Sequence, residues 1–343
     1  MPDRYEFVRR LGLPGLLRRY HRTQALILGY HGVVQEQACP PRWTEVGLTR
    51  FREQMTYVRR RYRLLPLREI VERLRRGAAL PAYTAAVTFD DGYRNNFTHA
   101  FPVLRELGIP ATIFLTTGFL DERRPLWTDR LTLALARSRE SMLEIAGHAL
   151  PLRTPAERQR ARDVVAAHLK ALPGPEKDRQ LDTVERGLGA VTADLPEELA
   201  PLGWDDVRAM GASGLVDFGS HTVTHQIVSR LGPEDRAREI VQSCQRVEEE
   251  IGARCRLFAY PNGEPGDFDD ESRSLLRATN TIGAVTTVPG LVARDADVWT
   301  LPRILVGGDA TIAKFDLLSS GFMGVMGRRR LAEREVSVSH GAA

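Results

Sequence analysis

The chain has 343 residues, 43% of them hydrophobic and 27% charged, which excludes a disordered or fibrous protein and leaves one large α/β domain or two modest ones. Its 48 basic and 44 acidic residues give a net charge of +4, and almost all the basic ones are arginine, with lysine only at Lys170, Lys177 and Lys314. The basic runs 59–63 and 328–330 are too short to suggest a nucleic-acid partner.

Residues 1–24 form a basic amphipathic segment with no apolar core of signal-peptide length, so the expected location is cytoplasmic. Within it, positions 7–20 mix Leu and Phe with Arg around Pro14. That pattern suits either a surface helix packed on its own domain or a peripheral contact with the inner membrane face. Short apolar runs follow at 25–30, 85–89, 111–116, 215–219, 256–260 and 282–286, with helical intervals at 49–61, 67–75, 93–107 and 233–251. This alternation predicts βα units around a parallel sheet or barrel, with the chemistry at the carboxyl ends of the strands. The stretch 121–203 is rich in Arg, Ala, Leu and Glu and shows no strand core, so it reads as a helical insertion within a domain spanning 25–320. A polar tail, 321–343, ends the chain. Cys39, Cys244 and Cys255 are widely spaced and show no paired metal-site pattern, so they are expected to be reduced and structural.

Three motifs carry candidate chemistry. The run Thr88-Phe89-Asp90-Asp91-Gly92 ends a strand in two adjacent carboxylates, whose mutual repulsion a bound cation would relieve; alone, Asp-Asp-Gly is also an ordinary turn. In Ser220-His221-Thr222-Val223-Thr224-His225 the two imidazoles share one side if the chain turns helically, and they could then hold one ion. Together, an acid from one strand end and two imidazoles from another make a mixed N/O set for a borderline divalent ion, Zn²⁺ by default and Co²⁺ or Ni²⁺ as alternatives, with a position left open for water. Third, Phe258-Ala259-Tyr260-Pro261-Asn262-Gly263 ends a strand in a turn whose backbone N–H groups could face a ligand.

In this order the motifs resemble the polysaccharide deacetylase family, carbohydrate esterases that include chitin, peptidoglycan and exopolysaccharide N-deacetylases. The resemblance covers about 25–117 and 204–306 but not the insertion. It implies a distorted (β/α)7-type barrel with a helical insertion. It also implies Asp91, His221 and His225 as metal ligands, Asp90 as the base for the attacking water, and the Asn262 backbone N–H as an oxyanion donor. Many members carry an arginine in the third motif where this chain has Ala259; Arg303, in the run Trp299-Thr300-Leu301-Pro302-Arg303, is the candidate replacement. The late histidine that many members use as general acid is also missing, since no histidine lies between His225 and His340. Leu28-Gly29-Tyr30-His31 resembles that motif moved to the front of the chain, as in permuted exopolysaccharide members, and makes His31 the expected proton donor. The implied reaction is hydrolysis of N-acetyl groups on a hexosamine polymer or its lipid-linked precursor. Two alternatives are an amidohydrolase of non-sugar C–N bonds and a carbohydrate-binding pseudoenzyme.

Overall fold

A computed structural model describes residues 4–35, 42–190 and 195–322. Cys39, the basic run 328–330 and nearly all of the tail lie outside the described residues. The strands, in chain order, are β1 (Leu26–Tyr30), β2 (Gly32–Val34), β3 (Glu45–Gly47), β4 (Arg63–Leu64), β5 (Thr84–Phe89), β6 (Ala111–Leu115), β7 (Met142–Ile145), β8 (His148–Pro151), β9 (Val216–Ser220), β10 (Leu257–Ala259), β11 (Gly283–Val285) and β12 (Ile304–Leu305).

Seven strands form one parallel sheet in the order β11-β10-β9-β6-β5-β1-β12, and β4 pairs with the first two residues of β5. Parallel strands are covered on both faces, so they read as continuous apolar runs, and every residue of β1, β5 and β6 is buried. At the far edges Leu301 bridges to Val285 of β11, and Ile304 and Leu305 pair with Leu28 and Gly29 of β1. One short segment thus joins the two edges, and the sheet curls into a distorted barrel.

Alternate residues serve two cores. Leu26, Leu28, Val87 and Phe89 pack with Phe51, Met55 and Val58 of the helix Leu48–Arg61. Ile27, Ala86, Phe114, Leu257 and Ala259 pack with Ile70, Val71 and Leu74 of the helix Leu67–Arg75. On β5 this second face continues through Thr88 to Asp90, so the strand's period of two aims the first acid of the Asp-Asp-Gly run along the side chains that face this second core.

The insertion is not wholly helical. The helices Trp127–Arg137, Pro155–Ala171 and Gly174–Gly187 enclose an antiparallel hairpin of β7 and β8. Ala146 and Gly147, at φ 48° and 78°, make its two-residue turn, the left-handed geometry that matches strand twist. Leu143 and Ile145 point from the hairpin into a separate core with Trp127, Leu131, Val165, Leu169 and Leu181. The segment therefore folds around apolar side chains of its own. Its return path is tied to the barrel where Leu202 N–H and Arg94 N–H bond to Gly92 and Ala200 carbonyls, beside the Asp-Asp-Gly turn.

The N-terminal segment forms two helices, Arg4–Arg10 and Leu13–Tyr20, rather than one interrupted at Pro14. The break falls at Gly12, whose φ of 75° caps the second helix, and Pro14 sits in that helix's first turn, where its missing N–H costs nothing.

Candidate active site

Asp90 and Asp91 are adjacent in sequence but face different partners. Asp90 N–H continues the ladder to Tyr30 O at 2.9 Å, whereas Asp91 adopts φ 75° and is followed by Gly92 at φ 86°. A non-glycine residue in this region carries strain, and the strain here swings the second carboxylate away from the first.

Arg303, fully buried, clasps Asp90 through two bonds of 2.7 Å, one to each carboxylate oxygen. The guanidinium is itself fixed by Thr286 O at 2.9 Å and Thr88 Oγ1 at 3.1 Å, and it lies over the Phe114 ring. Burial alone would raise the Asp90 carboxyl, but Arg303, with His221 and His31, holds it well below the usual carboxylate range. A bidentate clasp of this kind fixes both the charge and the plane of the carboxylate.

Asp91 meets the two histidines. Its Oδ1 lies 3.6 Å from His221 Nε2 and 3.4 Å from His225 Nε2, and the candidate ligand atoms of the three residues all fall within 4.8 Å of one another. The condition considered for residues 221–225, a helical turn, is not met. Thr222 and His225 take φ of 68° and 58°, and this loop brings the imidazoles edge to face with centroids 4.9 Å apart. The His221 Nδ1 hydrogen bond to Ala259 O, at 2.7 Å, directs the ring proton to Nδ1 and leaves Nε2 with a free lone pair. Glu239 pins the loop from behind, accepting from Val223 N at 2.9 Å, Thr224 N at 2.8 Å and Thr224 Oγ1 at 2.6 Å.

The donor set fits a divalent cation. Asp91 Oδ1, which faces both imidazoles, is buried with no hydrogen-bond partner, which is costly for a group of this polarity. Burial, with the charges of Asp90 and Asp129, pushes the Asp91 carboxyl well above its ordinary value, and burial lowers both imidazoles, His225 strongly. Neutral imidazoles and a carboxylate lacking a counter-charge are the state in which such ligands receive a cation.

His31 and Asn262 line the same cavity of about 410 Å³. The His31 ring packs edge-on against Trp43 with centroids 5.8 Å apart, and its carbonyl accepts from Asn96 Nδ2 at 2.7 Å. Burial lowers the His31 imidazole to about 4, partly opposed by Asp90, so at rest the ring is neutral near pH 7. Asn262 is left-handed at φ 62°, and its backbone N–H donates to no acceptor among the described residues. Its side chain turns away, bonded to Lys170 and Asp267.

Other residues of the site carry no local signal in the sequence. Glu239 acts across fifteen positions. Arg42 binds Glu45 and Asp129, and Asp129 also accepts from Tyr93 at 2.8 Å, so a buried ionic knot ties the insertion to the loop beside His31. His21, His99, His148 and His168 lie away from the cavity.

A parallel barrel that gathers paired carboxylates and imidazoles at the carboxyl ends of its strands has the layout of a barrel enzyme. Residues 78–281 match the family model described as polysaccharide deacetylase, and the chain belongs to that family. It is 20% identical over 220 residues to YxkH of Bacillus subtilis (strain 168), named as a polysaccharide deacetylase, with 64% of this chain and 50% of that protein covered. A segment of 85 residues is 33% identical to the poly-beta-1,6-N-acetyl-D-glucosamine N-deacetylase of Escherichia coli (strain K12), covering 24% of this chain and 12% of that one. The chain thus spans half the length of the first relative and a small part of the second. The fold is similar to the deacetylase PplD of Streptococcus pyogenes, solved with acetate, at TM-score 0.57 and 16% identity over 86% of this chain and 98% of that one. It is also similar to IcaB of Ammonifex degensii, at TM-score 0.56 and 20% identity over 86% and 97% of the two chains.

Proposed function

We propose that this chain hydrolyses the N-acetyl group of a hexosamine within a saccharide, releasing acetate and leaving a free amine. One observation carries the reading: a carboxylate clasped by Arg303 stands beside an Asp91-His221-His225 cluster fit for a cation, at the base of one cavity.

Asp91, His221 and His225 would hold the divalent ion. When bound, the ion supplies Lewis acidity, making a water more acidic and polarising the acetamide carbonyl. Asp90 takes the proton of the attacking water; Arg303 keeps this carboxylate ionised and sets its plane. The Asn262 N–H donates to the oxygen that becomes negative as the carbonyl carbon turns tetrahedral. His31, on the same cavity wall, would pass to the departing amine the proton that Asp90 takes from the water, which leaves both side chains as they began. The location we favour is the cytoplasmic side of the membrane, where a lipid-linked saccharide would be met. The name of the Escherichia coli relative supports a β-linked N-acetylglucosamine polymer or its precursor as the substrate class.

The test is acetate release from N-acetylglucosamine oligomers, with chelator, with Zn²⁺ restored, and with Asp90→Asn. Release that needs the ion and vanishes in the variant supports the reading. No release from a chain that still binds one ion removes it.

A further inference from the structure

The helices Arg4–Arg10 and Leu13–Tyr20 carry a surface that the chemistry does not use. Phe7, Leu11, Leu16 and Tyr20 are 62%, 65%, 67% and 82% exposed, and they account for most of the exposed large hydrophobics among the described residues. The first helix buries nothing and the second buries only Pro14. Tyr5, Val8, Leu13 and Leu17 are half-buried and serve the packing on the domain, so the apolar side chains of Phe7, Leu11, Leu16 and Tyr20 form a second, outward face that this packing does not use. Phe7 with Leu11, and Leu16 with Tyr20, are four apart, so each pair shares a helix face; Leu11 N–H still bonds to Phe7 O at 3.2 Å.

Charge holds the pair to the barrel. Arg9 and Arg18 reach the buried Asp316 carboxylate at 3.2 and 2.5 Å, and Arg18 also donates to Tyr57 Oη at 2.6 Å. With two arginines turned inward, Arg4, Arg10, Arg19 and Arg22 remain exposed. Glu6 is the one acid between residues 4 and 22, and it lies 3.5 Å from both Arg9 and Arg10. The basic rim extends further: exposed Arg61 lies over the ring of Tyr57, the residue that Arg18 also reaches, at 4.1 Å.

We infer that this face docks on an anionic lipid surface, with Phe7, Leu11, Leu16 and Tyr20 entering the headgroup boundary and the arginine rim engaging lipid phosphates. An apolar patch ringed by arginines that outnumber the nearby acids matches that partner on both counts. A second copy of the chain would bring arginine against arginine. No helix among the described residues is long and apolar enough to cross a membrane, so the contact is with the surface. The inference stands apart from the proposed chemistry, because its readout involves no turnover.

The experiment is co-sedimentation of the full chain with vesicles of phosphatidylcholine, with and without phosphatidylglycerol. Binding should require phosphatidylglycerol and weaken with salt. Phe7→Ser/Leu11→Ser/Leu16→Ser/Tyr20→Ser should reduce it at least tenfold; Arg10→Glu/Arg19→Glu should cost about fivefold or more per arginine. The circular dichroism spectrum and melting temperature should be unchanged in both variants, showing that they fold. No sedimentation of the intact chain with anionic vesicles overturns the inference. So does vesicle binding that both variants retain, or self-association in solution that the serine variant abolishes.

Discussion

The cavity has two walls, and they are built in different ways. On the barrel wall buried hydrogen bonds hold key groups: Arg303 makes four, His221 is locked through Ala259 O, and Glu239 draws in three donors of the histidine loop. The insertion wall presents Thr132, Arg162, Ala166 and Lys170 from helices that pack on their own core. It meets the barrel wall through the Arg42–Asp129–Tyr93 knot and the Lys170–Asn262 contact. The lesson is a division of labour. On the proposed reading, the barrel wall would hold the reacting groups and the insertion would shape what enters.

The largest effects are expected on the barrel wall. Asp90→Asn and His31→Ala should each lower kcat by roughly 10²- to 10⁴-fold with KM nearly constant. Loss of KM alone, with kcat intact, would mean that the two residues bind substrate rather than move protons. Arg303→Met is a more discriminating probe. Burial raises the Asp90 carboxyl and Arg303 lowers it, so removing the guanidinium leaves the upward push unopposed. The base is then protonated at higher pH, and the acid limb of the pH–rate profile moves up towards neutrality. A profile that drops in height without moving on the pH axis would show that Arg303 is a structural strut only.

Glu239→Gln comes next. It replaces a carboxylate acceptor of three bonds by an amide, one end of which faces N–H groups it cannot serve. Loosening the loop that aims His225 should weaken Zn²⁺ binding about 10- to 100-fold in a competition titration, the usual cost of losing a residue that orients ligands. Unchanged affinity would place the ordering of the loop elsewhere.

The insertion wall should answer more weakly. Arg162→Ala and Lys170→Ala should raise KM about threefold for longer oligomers and leave kcat as it was, since neither side chain is placed to interact more strongly in the transition state than in the ground state. A fall in kcat would show that the insertion also sets the geometry of Asn262 and would remove the distinction between the walls.

How far the sequence foretold each wall follows from the physics of its elements. The strands Leu26–Tyr30, Thr84–Phe89 and Ala111–Leu115 were legible because burial on both faces forces continuous apolar runs. The elements β2, β3, β4 and β12, of two or three residues, are too short to show a period. The β7–β8 hairpin escaped notice because its turn is Ala146-Gly147 rather than Asn-Gly, although Leu143 and Ile145 alternate with exposed neighbours. The histidines' spacing by four suits one ion if the chain turns helically, yet a loop without that turn brings them together. Positive φ at Thr222 and His225 leaves no mark in the sequence, since it is imposed by Glu239 and by Thr117 N–H bonding to Thr222 O at 3.1 Å. Long-range contacts of this kind decide which backbone N–H is left free and which carboxylate oxygen is left without a partner.

That unpartnered oxygen, on Asp91, gives the smallest predicted effect, and one of opposite sign. In the ion-free chain Asp91 lies buried beside Asp90 and Asp129 with Oδ1 bound to nothing, and its pKa is raised above the unfolded value. A raised pKa means that the folded state holds the proton more tightly than the unfolded one. The group therefore costs no stability below the ordinary carboxyl range and costs progressively more as pH rises through that range towards the raised folded value. Asp91→Asn removes the charge and keeps the shape, so the ion-free variant should melt roughly 1–3 °C higher than the ion-free parent at pH 7, with the gap closing at pH 4. Restoring Zn²⁺ should reverse the order, because only the parent gains from filling the site. A variant that melts lower than the parent without the ion would mean that Asp91 already has a counter-charge in the empty cavity. A gain that reverses with Zn²⁺ would instead locate a stability cost at the residue that the barrel wall keeps for binding, and would separate it from Asp90, whose cost Arg303 already offsets.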